Sequence, residues 1–330
     1  MYRLLSKTGA ILSAFVLFIF LVACGDSTDS SENGENESDQ ASNEEETEET
    51  ITIEHSMGTT EIEGTPEKVV TLYQGATDTI TSFGIEPVGI VESWVETPIY
   101  EYLRDDLEGT TIVGQETQPN LEEIASLDPD VIFASKTRHE DIYEKLDQIA
   151  PTIAIETLYD FKGTVELMGQ AFNKQDRADE ILNNWNNRVE DFNTKAENEL
   201  GDKWPQNVAL LNFRSDHARI YFDSFAGSIL REAGFERPEN QQGDEWGIKL
   251  TDKESITEMN ADVFFVFMGD DPAVEETYNE WTNHPLWENL DAVKNDQVYR
   301  VDQVIWNMGG GINAANLMVD ELYEHYDLEK

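Results

Sequence analysis

The 330-residue sequence predicts an α/β protein of two lobes, each on a mainly parallel central sheet, joined by one long α-helix. Three observations carry that expectation. Short runs of β-branched and apolar residues alternate with stretches of helical spacing, the pattern of strands connected by helical crossovers. Beyond residue 50 about 280 residues remain, more than one hydrophobic core usually serves. Between the two sets of strands, residues 163–200 keep an uninterrupted helical period, with Ala178, Ile181, Leu182, Trp185, Val189 and Phe192 along one face. A helix of that length suits a rigid connection.

Arg3 and Lys7 precede an apolar run, Ala10 to Ala23, that is too short for a permanent membrane helix but suits a signal peptide. The run closes as Leu21-Val22-Ala23-Cys24, which resembles the bacterial lipobox. That resemblance implies a signal peptide over 1–23 and a mature chain beginning at a lipidated Cys24, against the alternative of an ordinary secretory signal with an incidental cysteine. Residues 24–50 are almost wholly Asp, Glu, Ser, Asn, Thr and Gly and cannot bury enough apolar surface to order themselves. They predict a tether with a reach of roughly 28 Å.

The first lobe is expected over 51–162, with strands at 69–73, 88–91, 111–113, 131–134 and 152–155 and helices at 76–83 and 120–127. Asn120 is a good N-cap for the second helix, with Glu123 at capping-box distance. The connecting segment follows over 163–200. The second lobe, 201–330, repeats the architecture with strands at 208–213, 219–222, 263–267 and 298–301.

Residues 51–330 hold 20 of the 22 basic and 57 of the 68 acidic residues, a formal charge of −37. Such a body repels nucleic acid and anionic lipid, so membrane attachment must come from acyl chains. Cys24 is the only cysteine, which excludes internal disulfides and thiolate metal sites. No nucleophile elbow, phosphate-loop lysine or His-Glu-x-x-His motif is present, and Ser215-Asp216-His217 is the one arrangement that suggests a hydrolase. Three consecutive residues rarely converge as a triad, so the chain reads as a binding protein and not an enzyme.

Several ordered segments then point one way: Leu72-Tyr73-Gln74-Gly75-Ala76-Thr77-Asp78, Gly84-Ile85-Glu86-Pro87-Val88-Gly89, Pro119-Asn120-Leu121-Glu122-Glu123-Ile124, Leu127-Asp128-Pro129-Asp130-Val131-Ile132 and Leu290-Asp291-Ala292-Val293-Lys294-Asn295. Across essentially the whole chain this series resembles the substrate-binding lipoproteins of iron-siderophore ABC importers. Ala134-Ser135-Lys136-Thr137-Arg138-His139, Asn212-Phe213-Arg214-Ser215-Asp216-His217 and Ile305-Trp306-Asn307 resemble the receptors for citrate-hydroxamate siderophores of the schizokinen kind. The resemblance implies a ligand cleft between the lobes, a ferric siderophore as ligand, and an ABC permease with its ATPase as partner. It also implies a monomer lipid-anchored at the outer face of the cytoplasmic membrane of a Gram-positive bacterium. A single connecting helix implies small closure.

Ligands of α/β lobes bind beyond the carboxyl ends of strands. Arg138, Arg214 and Arg219 are expected there. Their planar forks suit the outward oxygens of an anionic chelate, and the alternative for each is a salt bridge with the surplus carboxylates. His217 shares the turn with Arg214 and could donate to a ligand, cap the turn, or ligate a metal. The five histidines are scattered, so direct metal ligation is not expected and iron arrives already chelated. Trp94, Tyr73, Tyr221, Trp306 and Asn307 are candidates for the cleft wall, with core packing as the alternative for the aromatics. Haem or cobalamin capture, with His217 or Met308 as axial ligand, is the competing ligand class. The resemblance further implies that Glu122 and Glu254 dock the permease; a first-turn helix acid favoured by the dipole is the alternative for Glu122.

Overall fold

The computed structural model describes residues 50–243 and 245–330. The expected signal peptide, the lipidated Cys24 and all of the tether but Thr50 lie outside the described residues. Among the described residues no helix is long and apolar enough to cross a membrane.

Thr50 is the first residue of an antiparallel hairpin, β1 (Thr50–His55) and β2 (Gly58–Glu63). The hairpin escapes a reading by hydrophobic runs because its strands are rich in Thr and Glu, with Ile53 and Ile62 as the buried apolar residues. It belongs to the first lobe, bound to the sheet edge through Ser56 N to Ala154 O (3.0 Å) and Thr60 Oγ1 to Thr152 O (2.9 Å).

The first lobe's sheet comprises β3 (Val69–Thr71), β4 (Gly89–Glu92), β5 (Thr111–Gln115), β6 (Gln118–Pro119), β7 (Val131–Ser135) and β8 (Thr152–Ile155), in the order β6-β5-β4-β3-β7-β8. Every pair is parallel except β5–β6. Helices α1 (Gln74–Ser82), α2 (Leu121–Ser126), α3 (Lys136–His139) and α4 (Tyr143–Asp147) connect the strands. Asn120 caps α2 by accepting from Glu122 N and Glu123 N.

The long connecting helix is Gln175–Leu200, shorter than the expected 163–200 because the segment breaks once before it. α5 (Phe161–Ala171) and α6 (Gln175–Leu200) are separated where Asn173 adopts φ +53°. Lys174 N bonds to Gly169 O at 2.8 Å and Asn173 N to Gln170 O at 3.2 Å, the paired closing bonds of a Schellman motif. The apolar period runs through this stop because Ala178 packs onto α5 at Gly169, whose own Cβ would clash there.

The second lobe's sheet comprises β9 (Val208–Phe213), β10 (Ala218–Tyr221), β11 (Gly247–Leu250), β12 (Val263–Met268) and β13 (Val298–Arg300), ordered β11-β10-β9-β12-β13. It is mixed rather than mainly parallel: β9, β12 and β13 run parallel, whereas the tight turn from β9 to β10 makes the other pairs antiparallel. Helices α7 (Phe225–Glu232), α8 (Pro272–Thr282), α9 (Asp291–Lys294) and α10 (Ile312–His325) complete it, with a π-helical turn at Val304–Met308.

One hydrophobic core runs through both lobes, from Val69 and Phe133 through Phe161 and Trp185 to Leu210 and Phe265. Phe161 meets Trp185 (5.1 Å) and Phe225 (5.8 Å) edge to face. Beside them Glu232 accepts from Lys162 Nζ (2.5 Å) and Trp185 Nε1 (2.7 Å). A second tie joins α1 to α10. The buried Asp78 carboxylate accepts from Asn313 N (2.8 Å), Ala314 N (2.9 Å) and Tyr102 Oη (2.7 Å), capping the start of α10.

Candidate functional site

A cavity of about 510 Å³ opens between the lobes where the strands end. From the first lobe, Gln74 follows β3, Trp94 and Val95 follow β4, Glu116 follows β5, Arg138 follows β7, and Leu158 and Tyr159 follow β8. From the second come Arg214 after β9, Tyr221 at the end of β10, Phe225 at the start of α7, and Asn307, Met308 and Gly310. Parallel strands aim their carboxyl ends at one edge, and this is how distant segments converge there.

The three arginines share one construction. Arg138 Nε donates to Glu116 Oε1 at 3.0 Å, Arg214 Nε to Asn212 Oδ1 at 2.9 Å, and Arg219 Nε to His217 Nε2 at 2.9 Å. In each case the inner nitrogen is tied down by a buried acceptor, which fixes the guanidinium plane and leaves the terminal nitrogens for other partners. Among the described residues no carboxylate lies within 4.0 Å of Arg214 or Arg219. Arg138 is ion-paired through its Nε alone. Arg214 and Arg138 line the cavity from opposite lobes, while Arg219 stands behind Tyr221, its Nη1 3.5 Å from the Tyr221 hydroxyl.

Glu116 supports the first-lobe wall. Its carboxylate is buried, accepts Gln74 N at 3.2 Å, and has its pKa raised by desolvation, with the Gln74 amide and Arg138 opposing. His139, also buried, accepts Ser135 N at Nδ1 (3.1 Å), so its Nε2 carries the proton donated to Glu116 O (2.9 Å). Burial lowers the His139 pKa and keeps it neutral. Trp94 projects from a loop laced by Ser93 N to Pro98 O, Glu101 N to Glu96 Oε2 and Arg104 to the carbonyls of Glu96 and Ile99. Its ring lies 5.8 Å from the Arg138 guanidinium.

Three expected wall residues are elsewhere. Tyr73 is buried beneath α1 with its hydroxyl 3.0 Å from Thr164 Oγ1, because β3 ends at Thr71 and the next turn sends the ring inward. Trp306 is fully buried, its ring tilted 36° against Phe265 at 4.5 Å with Nε1 donating to Glu321 Oε2 at 2.7 Å. The π turn places it on the core side and its neighbours Asn307 and Met308 on the cleft side. His217 is 5% exposed and has no free nitrogen: Arg219 can only donate, so Nε2 accepts, and Nδ1–H donates to Asp216 Oδ1 at 2.5 Å. It positions Arg219 and is not open to a ligand, which removes one of the two axial ligands offered for haem; the other, Met308, lines the cavity.

Gly309, Gly310 and Gly311 serve chain approach. A Cβ at Gly309 would strike Tyr102 Oη, one at Gly311 the Asp78 carboxylate, and one at Gly75 would fall 2.6 Å from Gly310 O. Among the described residues no group of three His, Cys, Asp or Glu side chains could hold a metal. Glu122 and Glu254 are both exposed, each in the first turn after a capping residue, Asn120 and Asp252. Sequence reasoning passed over Gln74, Glu116 and Tyr159, and offered Met308 only as an axial ligand. Glu116 ends a strand as the arginines do, but one acid among 57 carries no signal of its own.

A model of the periplasmic binding protein family matches residues 69–305. The achromobactin-binding periplasmic protein of Dickeya dadantii is 44% identical over 260 residues, 78% of this chain and 85% of that protein. A Bacillus subtilis protein named "Probable siderophore-binding lipoprotein YfiY" is 40% identical over 290 residues, 84% of this chain and 88% of its own. The crystal structure of Staphylococcus aureus SirA complexed with staphyloferrin B superposes with a TM-score of 0.82 at 46% identity, covering 85% of this chain and 99% of SirA.

Proposed function

This chain belongs to the periplasmic binding protein family, and on that premise we propose that it captures a ferric siderophore in the interlobe cleft and delivers it to an ABC permease for iron uptake. One observation carries the reading. In a body of charge −37, Arg138 and Arg214 face one cavity from opposite lobes, and among the described residues no carboxylate lies within 4.0 Å of Arg214 or Arg219. A cationic cleft in an acidic protein fits an anionic, oxygen-rich ligand held by charge-assisted hydrogen bonds. Relatives named for achromobactin and staphyloferrin B support that ligand class for this chain. Within the class, a citrate-hydroxamate chelate of the schizokinen kind is our finer assignment.

The iron is cargo, bound through its chelator. The continuous core and the Asp78 and Glu232 ties favour small closure, since a rigid-body swing would break them. We assign Cys24 as the lipid anchor to the outer face of the cytoplasmic membrane, and Glu122 and Glu254 as permease contacts on the two lobes. The test is tryptophan-fluorescence titration with ferric staphyloferrin B, ferric schizokinen, ferric citrate, a ferric catecholate and haem. Saturable quenching by the carboxylate-bearing chelates at submicromolar concentration is expected. Binding of haem alone, or of no probe, overturns the reading.

A further inference from the structure

Among the described residues three large apolar side chains are exposed: Trp94, Tyr159 and Trp246. Two line the cleft, and the third packs edge to face on Tyr221, which also lines it, at 5.7 Å and 71°. Exposed aromatics gathered at one opening, on a surface otherwise acidic, mark a place where something apolar or planar is received.

Trp246 repeats on the second lobe what Trp94 does on the first. The Arg219 guanidinium lies 5.6 Å from its ring centroid, as Arg138 lies 5.8 Å from that of Trp94. The indole is not a loose flap over the arginine. Phe222 N donates to Trp246 O at 3.0 Å, and the next residue, Gly247 at φ +146°, has no Cβ to strike Ile220 O, so the backbone lies flat on β10. Arg219 is held from below by the Asp216–His217 pair. The backbone that carries the indole and the inner nitrogen of the guanidinium are both anchored without a ligand. An indole against one face of a guanidinium keeps water off that face and strengthens what the edge N–H groups bind.

We propose that Trp246 is a ligand-contact residue, which with Arg219 forms a second tryptophan–arginine lip that takes a planar carboxylate-bearing arm of the ferric chelate. This rests on the reading of the cleft as a siderophore site. The indole covers the arm's carbon face while the fork of Arg219 takes its oxygens.

The experiment compares the wild-type protein with W246A and W246F, using ferric staphyloferrin B as probe and acrylamide quenching as second readout. W246A should weaken binding roughly tenfold, the scale of a lost desolvated cation–π contact. W246F, which keeps an aromatic face and guards against a folding defect, should bind more tightly than W246A. Acrylamide should quench wild type more than W246F without ligand, and the difference should vanish at saturation. If wild type binds and W246A matches it within about twofold (RT ln 2, roughly 0.4 kcal/mol), with Trp246 still open to acrylamide, the lip is refuted while the reading of the cleft stands. If wild type binds neither this probe nor ferric schizokinen, the reading falls and the lip with it.

Discussion

Replacing Asn212 by leucine should loosen Arg214 without removing any atom that meets the ligand. Asn212 is buried; its amide donates to Phe267 O at 2.8 Å and its Oδ1 accepts Arg214 Nε at 2.9 Å. Leucine keeps the branched heavy-atom skeleton with methyls in place of the amide oxygen and nitrogen, so the change deletes two hydrogen bonds and removes no packing atom, for about 1–2 kcal/mol of stability. The effect on affinity is separable. Arg214→Ala removes a charge-assisted contact of about 1.5–3 kcal/mol, roughly 10- to 150-fold in Kd. In N212L the fork stays charged but must be ordered at the moment of binding, which costs about 0.5–1.5 kcal/mol for one long side chain. N212L should therefore bind several-fold more weakly than wild type. The double variant N212L/R214A should bind no more weakly than R214A, since Asn212 acts only through the arginine. Fluorescence titration of the four proteins with ferric staphyloferrin B measures the cycle, and thermal melts confirm folding. Additive losses, or wild-type affinity in N212L, would refute the orienting role.

Three other outcomes follow from the same geometry. Asp78→Ala strips acceptors from two α10 amides and the Tyr102 hydroxyl and should cost about 3–5 kcal/mol by guanidinium denaturation; a loss under about 1 kcal/mol would mean α10 is not held by this cap. Gly75→Ala places a methyl 2.6 Å from Gly310 O and should cost about 1–3 kcal/mol in the same assay, with no loss if the contact between α1 and the glycine run were loose. Glu116 keeps its proton to higher pH folded than unfolded, so it stabilises below the ordinary 4.5 and that contribution is lost as pH rises through its raised value. In urea melts across this range, E116Q should remove that decline; an identical pH profile would contradict the shift.

The elements with strong local signals were legible from the chain. Val131–Ser135 and Val208–Phe213 are unbroken apolar runs because both faces of a central strand are covered, and each was placed within a residue. The hairpin over 50–63 was not, since alternating Thr and Glu resemble an acidic linker until tertiary contacts bury Ile53 and Ile62. Helical periodicity continued across Asn173 because α5 and α6 face the same core, so only backbone geometry showed the stop. At the cleft, strand ends pointed to Arg138, Arg214 and Tyr221, but the same rule offered Tyr73 and Trp306, which one turn of backbone sends into the core.

What the sequence by itself determined was composition, order and local preference: an acidic two-lobed α/β body, its family, and basic residues scarce enough to stand out where strands end. Only the tertiary structure decided which side chains share the cleft and what each is bonded to. Periodicity reports whether a residue is buried, not against what: Asn212 and His217 each stand two positions before the arginine they aim, whereas Glu116 is 22 positions from Arg138. The pairing of Glu116 with Arg138, and the meeting of Arg138 and Arg214 across one cavity, are set by how strands from separate segments line up at one edge, which local preference does not encode.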